Sequence, residues 1–178
     1  MIITLIGYRG SGKSSVAAPL SAALGWDWID ADDEIEHRAG CSIREIFEKD
    51  GEPKFRELEE ETLDVLLSRD QLVIAAGGGA ILSEKTREKM KSSGPVVWLK
   101  ASVEVLASRI EDDHTTTTRR PNLTPQGGRR EIEDVLAVRE PLYCECATLT
   151  IETDDRTVSE IVTSILSSIQ QNNEGRNR

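Results

Sequence analysis

Cysteine is scarce in this chain and its number is odd: Cys41, Cys144 and Cys146, with no spacing that would make a disulfide framework. A small disulfide-stapled secreted domain is therefore excluded. Histidine is scarcer still. His37 and His114 lie far apart, so Cys144-x-Cys146 has no second pair with which to complete a zinc site, and no structural metal is expected. Positive charge is also in deficit, with 22 Lys+Arg against 32 Asp+Glu and a net charge of -10. That balance argues against nucleic acid or an anionic membrane as a partner, and any anionic ligand must meet a local arginine cluster. The chain also lacks a charged-then-apolar signal segment and a flexible linker. With 178 residues and 38% apolar content, it can bury one good core. We expect a single domain over residues 1–169 in a reducing cytoplasm.

What the sequence does contain is a regular alternation. Apolar runs at Ile2 to Ile6, Trp28 to Ile29, Leu72 to Ala76, Val96 to Leu99 and Leu149 to Ile151 are separated by helical patterns. Such alternation predicts a five-stranded parallel sheet covered by helices, an α/β fold in three layers. Ser42-x-x-Glu45 and Thr157-x-x-Glu160 read as capping boxes, while Ser83 and Ser102 stand as N-caps before helix-forming sequence. Asp33 and Glu34 suit the first turn of a helix running from Asp33 to Ala39. A long acidic helix is expected to open at Asp50 to Arg56 and run to about Ser68, with Phe55, Leu58, Thr62, Val65 and Leu66 in the core and Glu57, Glu59, Glu60 and Glu61 on a solvated face. Asp112 to Gly128 has neither apolar period and is long for a loop, so it is read as either a disordered segment or a lid. The polar tail from Gln170 to Arg178 is expected to be disordered.

The chemistry starts at Gly7-Tyr8-Arg9-Gly10-Ser11-Gly12-Lys13-Ser14, a complete G-x-x-x-x-G-K-[ST] loop placed directly after the first strand. Its glycines let backbone N–H groups approach polyphosphate oxygens, and the helix that follows points its positive end at the same oxygens. Lys13 can reach the outer phosphates, and Ser14 can ligate Mg²⁺. ATP or GTP is the expected ligand.

Three further groups fall where the sheet's strands should end. Asp30-x-Asp32 follows the second strand, where one carboxylate can hold Mg²⁺ and the other can accept a proton from an attacking hydroxyl. Gly77-Gly78-Gly79 follows the third strand and would let backbone approach a ligand closely. Arg56 lies one turn into its helix and could offer a planar fork to a carboxylate. Arg119-Arg120-Pro121 in the lid segment and Arg139-x-Pro141-Leu142-Tyr143 near the end of a later helix supply cations that can compensate charge during transfer.

In this order the pieces resemble the shikimate kinase family over about Ile2 to Leu166. The phosphate loop is shared with many NTPases. The series is far more specific: Asp30-Ala31-Asp32 with Glu36-x-Arg38-x-Gly40, Ile46-Phe47, Gly51-Glu52 with Phe55-Arg56 and Glu59-Glu60, Gly77-Gly78-Gly79, Arg120-Pro121, and Arg139-x-Pro141-Leu142-Tyr143. The resemblance implies transfer of the ATP γ-phosphoryl group to the 3-hydroxyl of shikimate on a five-stranded P-loop kinase fold. It implies that Gly10, Ser11, Gly12, Lys13, Ser14 and Ser15 wrap the β-phosphate, that Lys13 stabilises the transferring group, and that Ser14 and Asp30 hold Mg²⁺, the latter through water. It further implies that Asp32 binds the shikimate hydroxyls and serves as base, that Arg56 and Arg139 pair with the carboxylate, and that Gly78 contacts shikimate through its backbone. Arg120 would descend from the lid, and Arg109 and Arg156 would lie near the adenine. The chain departs from the family where Arg-Pro-Leu-Leu reads Arg120-Pro121-Asn122-Leu123. A monomer is expected.

Other readings share parts of this pattern. A gluconate-type kinase or a nucleotide kinase would have the same loop and lid, although no base-recognition pocket for a nucleotide acceptor is legible. A GTP-dependent switch would need the guanine-reading Asn/Thr-Lys-x-Asp, which does not occur.

Overall fold

The computed structural model describes residues 1–112 and 128–176. All five apolar runs become strands: β1 (Ile2–Ile6), β2 (Asp27–Asp30), β3 (Leu72–Ala75), β4 (Val96–Lys100) and β5 (Leu149–Glu152). They form one parallel sheet in the order β2-β3-β1-β4-β5. The described residues also form helices α1 (Lys13–Leu24), α2 (Ala31–Ala39), α3 (Ile43–Leu66), α4 (Glu84–Ser93), α5 (Val103–Asp112), α6 (Gly128–Cys146) and α7 (Val158–Arg176), with a short 3₁₀ turn at Ala80–Leu82.

Side chains alternate across a strand, and the three central strands bury both faces. Ile2, Ile6, Leu72, Ile74, Val96 and Trp98 face one core, with Leu63 and Leu66 of α3, Met90 of α4, Leu106 of α5 and Leu136 and Tyr143 of α6. Ile3, Leu5, Val73, Val97 and Leu99 face the other, beneath Val16, Ala17 and Leu20 of α1 and Ile161, Val162 and Ile165 of α7. Each such side chain, fully buried, contributes about 1.5–3 kcal/mol. Two covered faces explain why these strands read as continuous apolar runs. The chain leaves β1 through α1 onto one face of the sheet and leaves the neighbouring β3 toward α4 on the other, so the carboxyl ends of these strands open a crevice.

The helix starts follow their capping chemistry. Ser42 and Glu45 form a reciprocal capping box, Thr157 and Glu160 exchange the equivalent bonds, and the hydroxyls of Ser83 and Ser102 accept from Thr86 N and Val105 N. Helix α2 begins at Ala31, two residues before expectation, because Asp30 caps it by accepting from Asp32 N at 2.9 Å.

Gly51 leaves helical geometry (φ 79°, ψ 176°) and divides α3 at a kink into the helix that the Ser42 capping box starts at Ile43 and the one expected to open near Asp50. Other expectations need correction. Val65 is 41% exposed instead of core, because α3 turns that position away from the sheet. Glu59, expected on a solvated face, is 3% exposed and paired with Arg56. α7 runs to Arg176, past Ile169. Nothing between Gln170 and Glu174 breaks a helix already propagating, and each added residue gains a backbone bond. Residues 113–127, the body of the expected lid with Arg120, lie outside the described residues. Among the described residues no helix is long and apolar enough to cross a membrane.

Candidate active site

Lys13 begins α1, and the residue before it, Gly12, takes a left-handed conformation (φ 92°, ψ 17°) that turns the chain from strand to helix. A side chain is strongly disfavoured there. The turn leaves the first backbone N–H groups of α1 facing outward from the sheet end. Lys13 Nζ folds back over the loop, donating to the carbonyls of Gly7 and Tyr8, both at 2.9 Å. Ser14 Oγ donates to Asp30 Oδ2 at 2.5 Å, which ties the phosphate loop to the end of β2.

The two oxygens of Asp30 have different partners. One oxygen caps α2 and the other faces Ser14. Burial raises its pKa above the ordinary carboxylate value; the Ser14 hydroxyl opposes this, and the like charge of Asp32 adds to it. Asp32 follows two residues later, in the first turn of α2.

The glycine loop after β3 closes the opposite wall. Gly78 is so near the phosphate loop that a Cβ there would stand 3.3 Å from Gly7 O and 3.5 Å from Arg9 N. Its carbonyl accepts from Arg139 Nη1 at 3.0 Å and from the Tyr143 hydroxyl at 2.6 Å. Both donors come from α6, and Tyr143 is fixed by stacking on Trp98, with ring centroids 5.6 Å apart. Burial also pushes the Tyr143 phenol well above its usual range, so it remains a donor.

These elements enclose one cavity of about 660 Å³. Its lining brings together Gly10, Ser11, Gly12, Lys13, Ser14, Ser15, Asp30, Asp32, Gly78, Arg109, Arg139 and Arg156, residues from distant parts of the chain. Five cationic side chains, Arg9, Lys13, Arg109, Arg139 and Arg156, face three carboxylates, Asp30, Asp32 and Asp33. On a protein of net charge -10, that is the local cationic cluster an anionic ligand requires. Arg109 is anchored by Thr153, donating to its carbonyl at 3.1 Å. Arg156 donates to Ser164 Oγ at 2.6 Å.

Arg56 is placed differently. It lines an adjoining pocket of about 430 Å³ with Glu52, Glu59 and Gly79. Its guanidinium is held by Glu59 at 2.6 Å and Glu52 at 3.0 Å, and it presses on the backbone of Gly79, where a Cβ would fall 2.3 Å from Nη1. It therefore stands behind the glycine loop that forms the cavity wall. Arg9 and Tyr8 went unassigned at the level of sequence, although both line the cavity. Their position inside the phosphate loop was the available signal. The two cysteines of α6 part company, Cys144 exposed and Cys146 buried, and burial raises the Cys146 thiol pKa to about 11.

Comparison with known proteins agrees with this arrangement. The family model described as shikimate kinase matches residues 9–170, from the phosphate loop into α7. A shikimate kinase from Rhodopirellula baltica is 46% identical over 162 residues, covering 91% of this chain and 87% of its own. The solved structure of shikimate kinase from Acinetobacter baumannii in complex with shikimate is 40% identical, with a TM-score of 0.90 over 96% of this chain and 93% of that one. A gluconokinase from Sinorhizobium meliloti, 18% identical with a TM-score of 0.57 over 98% of this chain and 94% of that one, shares the fold alone. Since the similarity extends through every wall of the cavity described above, the chain belongs to the shikimate kinase family.

Proposed function

We propose that this chain transfers the γ-phosphoryl group of ATP to the 3-hydroxyl of shikimate, giving shikimate 3-phosphate and ADP. The observation that carries this reading is the single cavity in which a complete phosphate loop faces Asp32, Gly78 and Arg139, in a chain of this family. The loop from Gly10 to Ser15 binds the β-phosphate, and Arg109 and Arg156 border the nucleoside end. Lys13 exchanges its loop carbonyls for phosphate oxygens and compensates the charge on the moving group. Asp32 orients the acceptor hydroxyl and takes its proton.

Arg139 grips the shikimate carboxylate while its bond to the Gly78 carbonyl fixes the fork. Arg56 is assigned to the same carboxylate on family resemblance: Glu52 and Glu59 hold it in the adjoining pocket, so the contact requires it to leave the exposed Glu52 and shift toward the cavity while the buried Glu59 holds its other edge. Arg120, outside the described residues, is assigned to the transferring phosphoryl group on family resemblance.

Mg²⁺ suits the donor set. A hydroxyl and a carboxylate 2.5 Å apart, Ser14 and Asp30, are hard oxygen ligands, few enough to leave the remaining positions to water and phosphate. When bound, Mg²⁺ neutralises charge on the β- and γ-phosphate oxygens. Residues 1–169 act as one kinase domain, monomeric and cytoplasmic.

A coupled assay of ADP formation tests the reading directly. ADP should appear with ATP and shikimate, and not with ATP alone, with gluconate or with a nucleoside monophosphate. Turnover of gluconate at a comparable rate would replace the proposed substrate.

A further inference from the structure

Helix α6 touches both walls of the cavity. Glu131, in its first turn, meets the phosphate loop by accepting from Arg9 Nη2 at 2.5 Å. Arg139 and Tyr143, further along the same buried face, hold the Gly78 carbonyl. From Glu131 to Arg139 is about 12 Å at 1.5 Å per residue. One rigid element therefore spans the distance between the nucleotide wall and the acceptor wall.

The Arg9–Glu131 pair is a poor device for stability alone. Glu131 has 0% exposure and Arg9 15%, and desolvating two charges offsets much of their attraction. Arg9 Nε is in addition buried with no hydrogen-bond partner among the described residues, a further penalty. An apolar pair would hold the helix against the loop with less loss. What a guanidinium against a carboxylate supplies is direction, a hydrogen-bonded geometry that fixes angle as well as distance.

We propose that Arg9 and Glu131 are positioning residues whose ion pair sets the spacing of phosphoryl donor and acceptor, by locking the phosphate loop to the helix that holds the acceptor side. The inference rests on the kinase reading above. Phosphoryl transfer depends chiefly on alignment and charge compensation, and a misplacement of about 1 Å can lower a rate roughly a hundredfold. Loosening the pair therefore slows the transfer step while each substrate continues to bind.

The test compares Glu131→Gln and the double variant Arg9→Met/Glu131→Leu with the unmutated protein, using ATP and shikimate. The double variant removes one charge of each sign, leaves the net charge unchanged and replaces the pair by an apolar contact. Both variants should show kcat about tenfold or more below the unmutated protein, with KM for ATP and for shikimate within about threefold. The double variant should melt no lower than Glu131→Gln. A double variant with kcat within about twofold of the unmutated protein would make the pair purely structural and overturn the proposal. So would a loss in kcat matched by an equal rise in KM for either substrate, which would make Arg9 a ligand contact. Should the double variant fail to fold, Arg9→Lys, which keeps the charge and loses the fork, replaces it and must show the same loss confined to kcat. Failure of the underlying reading is distinguishable, because the unmutated protein would then form no ADP in response to shikimate, and the proposal would fall with it.

Discussion

Asp30 serves two ends that pull in opposite directions. As a half-buried carboxylate beside Asp32, it has a pKa raised above its ordinary value of 3.8, with desolvation the largest cause. A group whose folded pKa exceeds its unfolded one favours the fold when protonated, and that contribution disappears as pH rises through the folded pKa. At neutral pH the ionised Asp30 therefore weakens the ligand-free fold, while a Mg²⁺ ligand must be ionised. Asp30→Asn, which can still cap α2, should raise the melting temperature of the ligand-free protein at pH 7 by roughly 2 °C or more. It should also raise the Mg²⁺ concentration needed for half-maximal activity by about tenfold or more. A thermal melt and a Mg²⁺ titration of the same sample read both effects. The acid limb of the pH–rate profile should be shifted upward from the ordinary aspartate value of 3.8. Lys13 gives a simpler expectation: Lys13→Met should lower kcat by roughly a hundredfold or more with the fold intact, checked by ADP formation alongside far-ultraviolet circular dichroism. Arg139→Lys should weaken shikimate by about tenfold while sparing ATP, since an ammonium offers no planar fork. Calorimetric titration with each ligand alone separates the two.

At the scale of elements, two glycines test different things. Gly51 sits at the kink of α3 with φ 79°, and a Cβ there would meet only Pro53 Cδ, at 3.6 Å. Gly51→Ala is thus a matter of backbone strain, about 1–3 kcal/mol, and should lower the melting temperature by roughly 2–12 °C with kcat unchanged. Gly79 is the reverse case. Its φ of -104° suits any residue, yet a Cβ would lie 2.3 Å from Arg56 Nη1 and 2.7 Å from Cζ. That guanidinium cannot simply swing aside while Glu52 and Glu59 hold it. Gly79→Ala should displace Arg56, uncover the buried Glu59 and cost about 1–3 kcal/mol. It should also raise KM for shikimate and leave KM for ATP near its original value, which steady-state kinetics with each substrate varied will show.

For the molecule as a whole, two ligands meet in a crevice built by a parallel sheet, and each should stabilise the fold by its own binding. ATP at about a hundred times its Kd should add about 2.7 kcal/mol, a rise in melting temperature of roughly 5–10 °C. Arg109→Ala and Arg156→Ala should shrink the rise produced by ATP and leave that produced by shikimate intact, as differential scanning fluorimetry will register. The division between what was legible in the chain and what was not has a local cause. Strand positions, capping residues and the phosphate loop were readable because each is set by neighbours in sequence: short continuous apolar runs, an N-cap hydroxyl three residues before its partner, glycines at fixed offsets before Lys13. The carboxylate pair after β2 was readable for the same reason. The reach of α7 to Arg176 and the outward turn of Val65 were not, since local polarity and spacing misstated both. Glu59 read as one more acid on an exposed stripe, and only the approach of Arg56 under Gly79 makes it buried. Arg9 read as a filler position in the phosphate loop, and its partner Glu131 lies 122 residues away. By itself the sequence determined the fold class, the phosphate loop and the carboxylates that face it, because short-range sterics and hydrogen bonds suffice for those. Which arginines share the cavity, which stand behind its wall and which are tied to buried acids was decided only by tertiary structure, because a long cationic side chain takes its place from the charges that packing brings within reach.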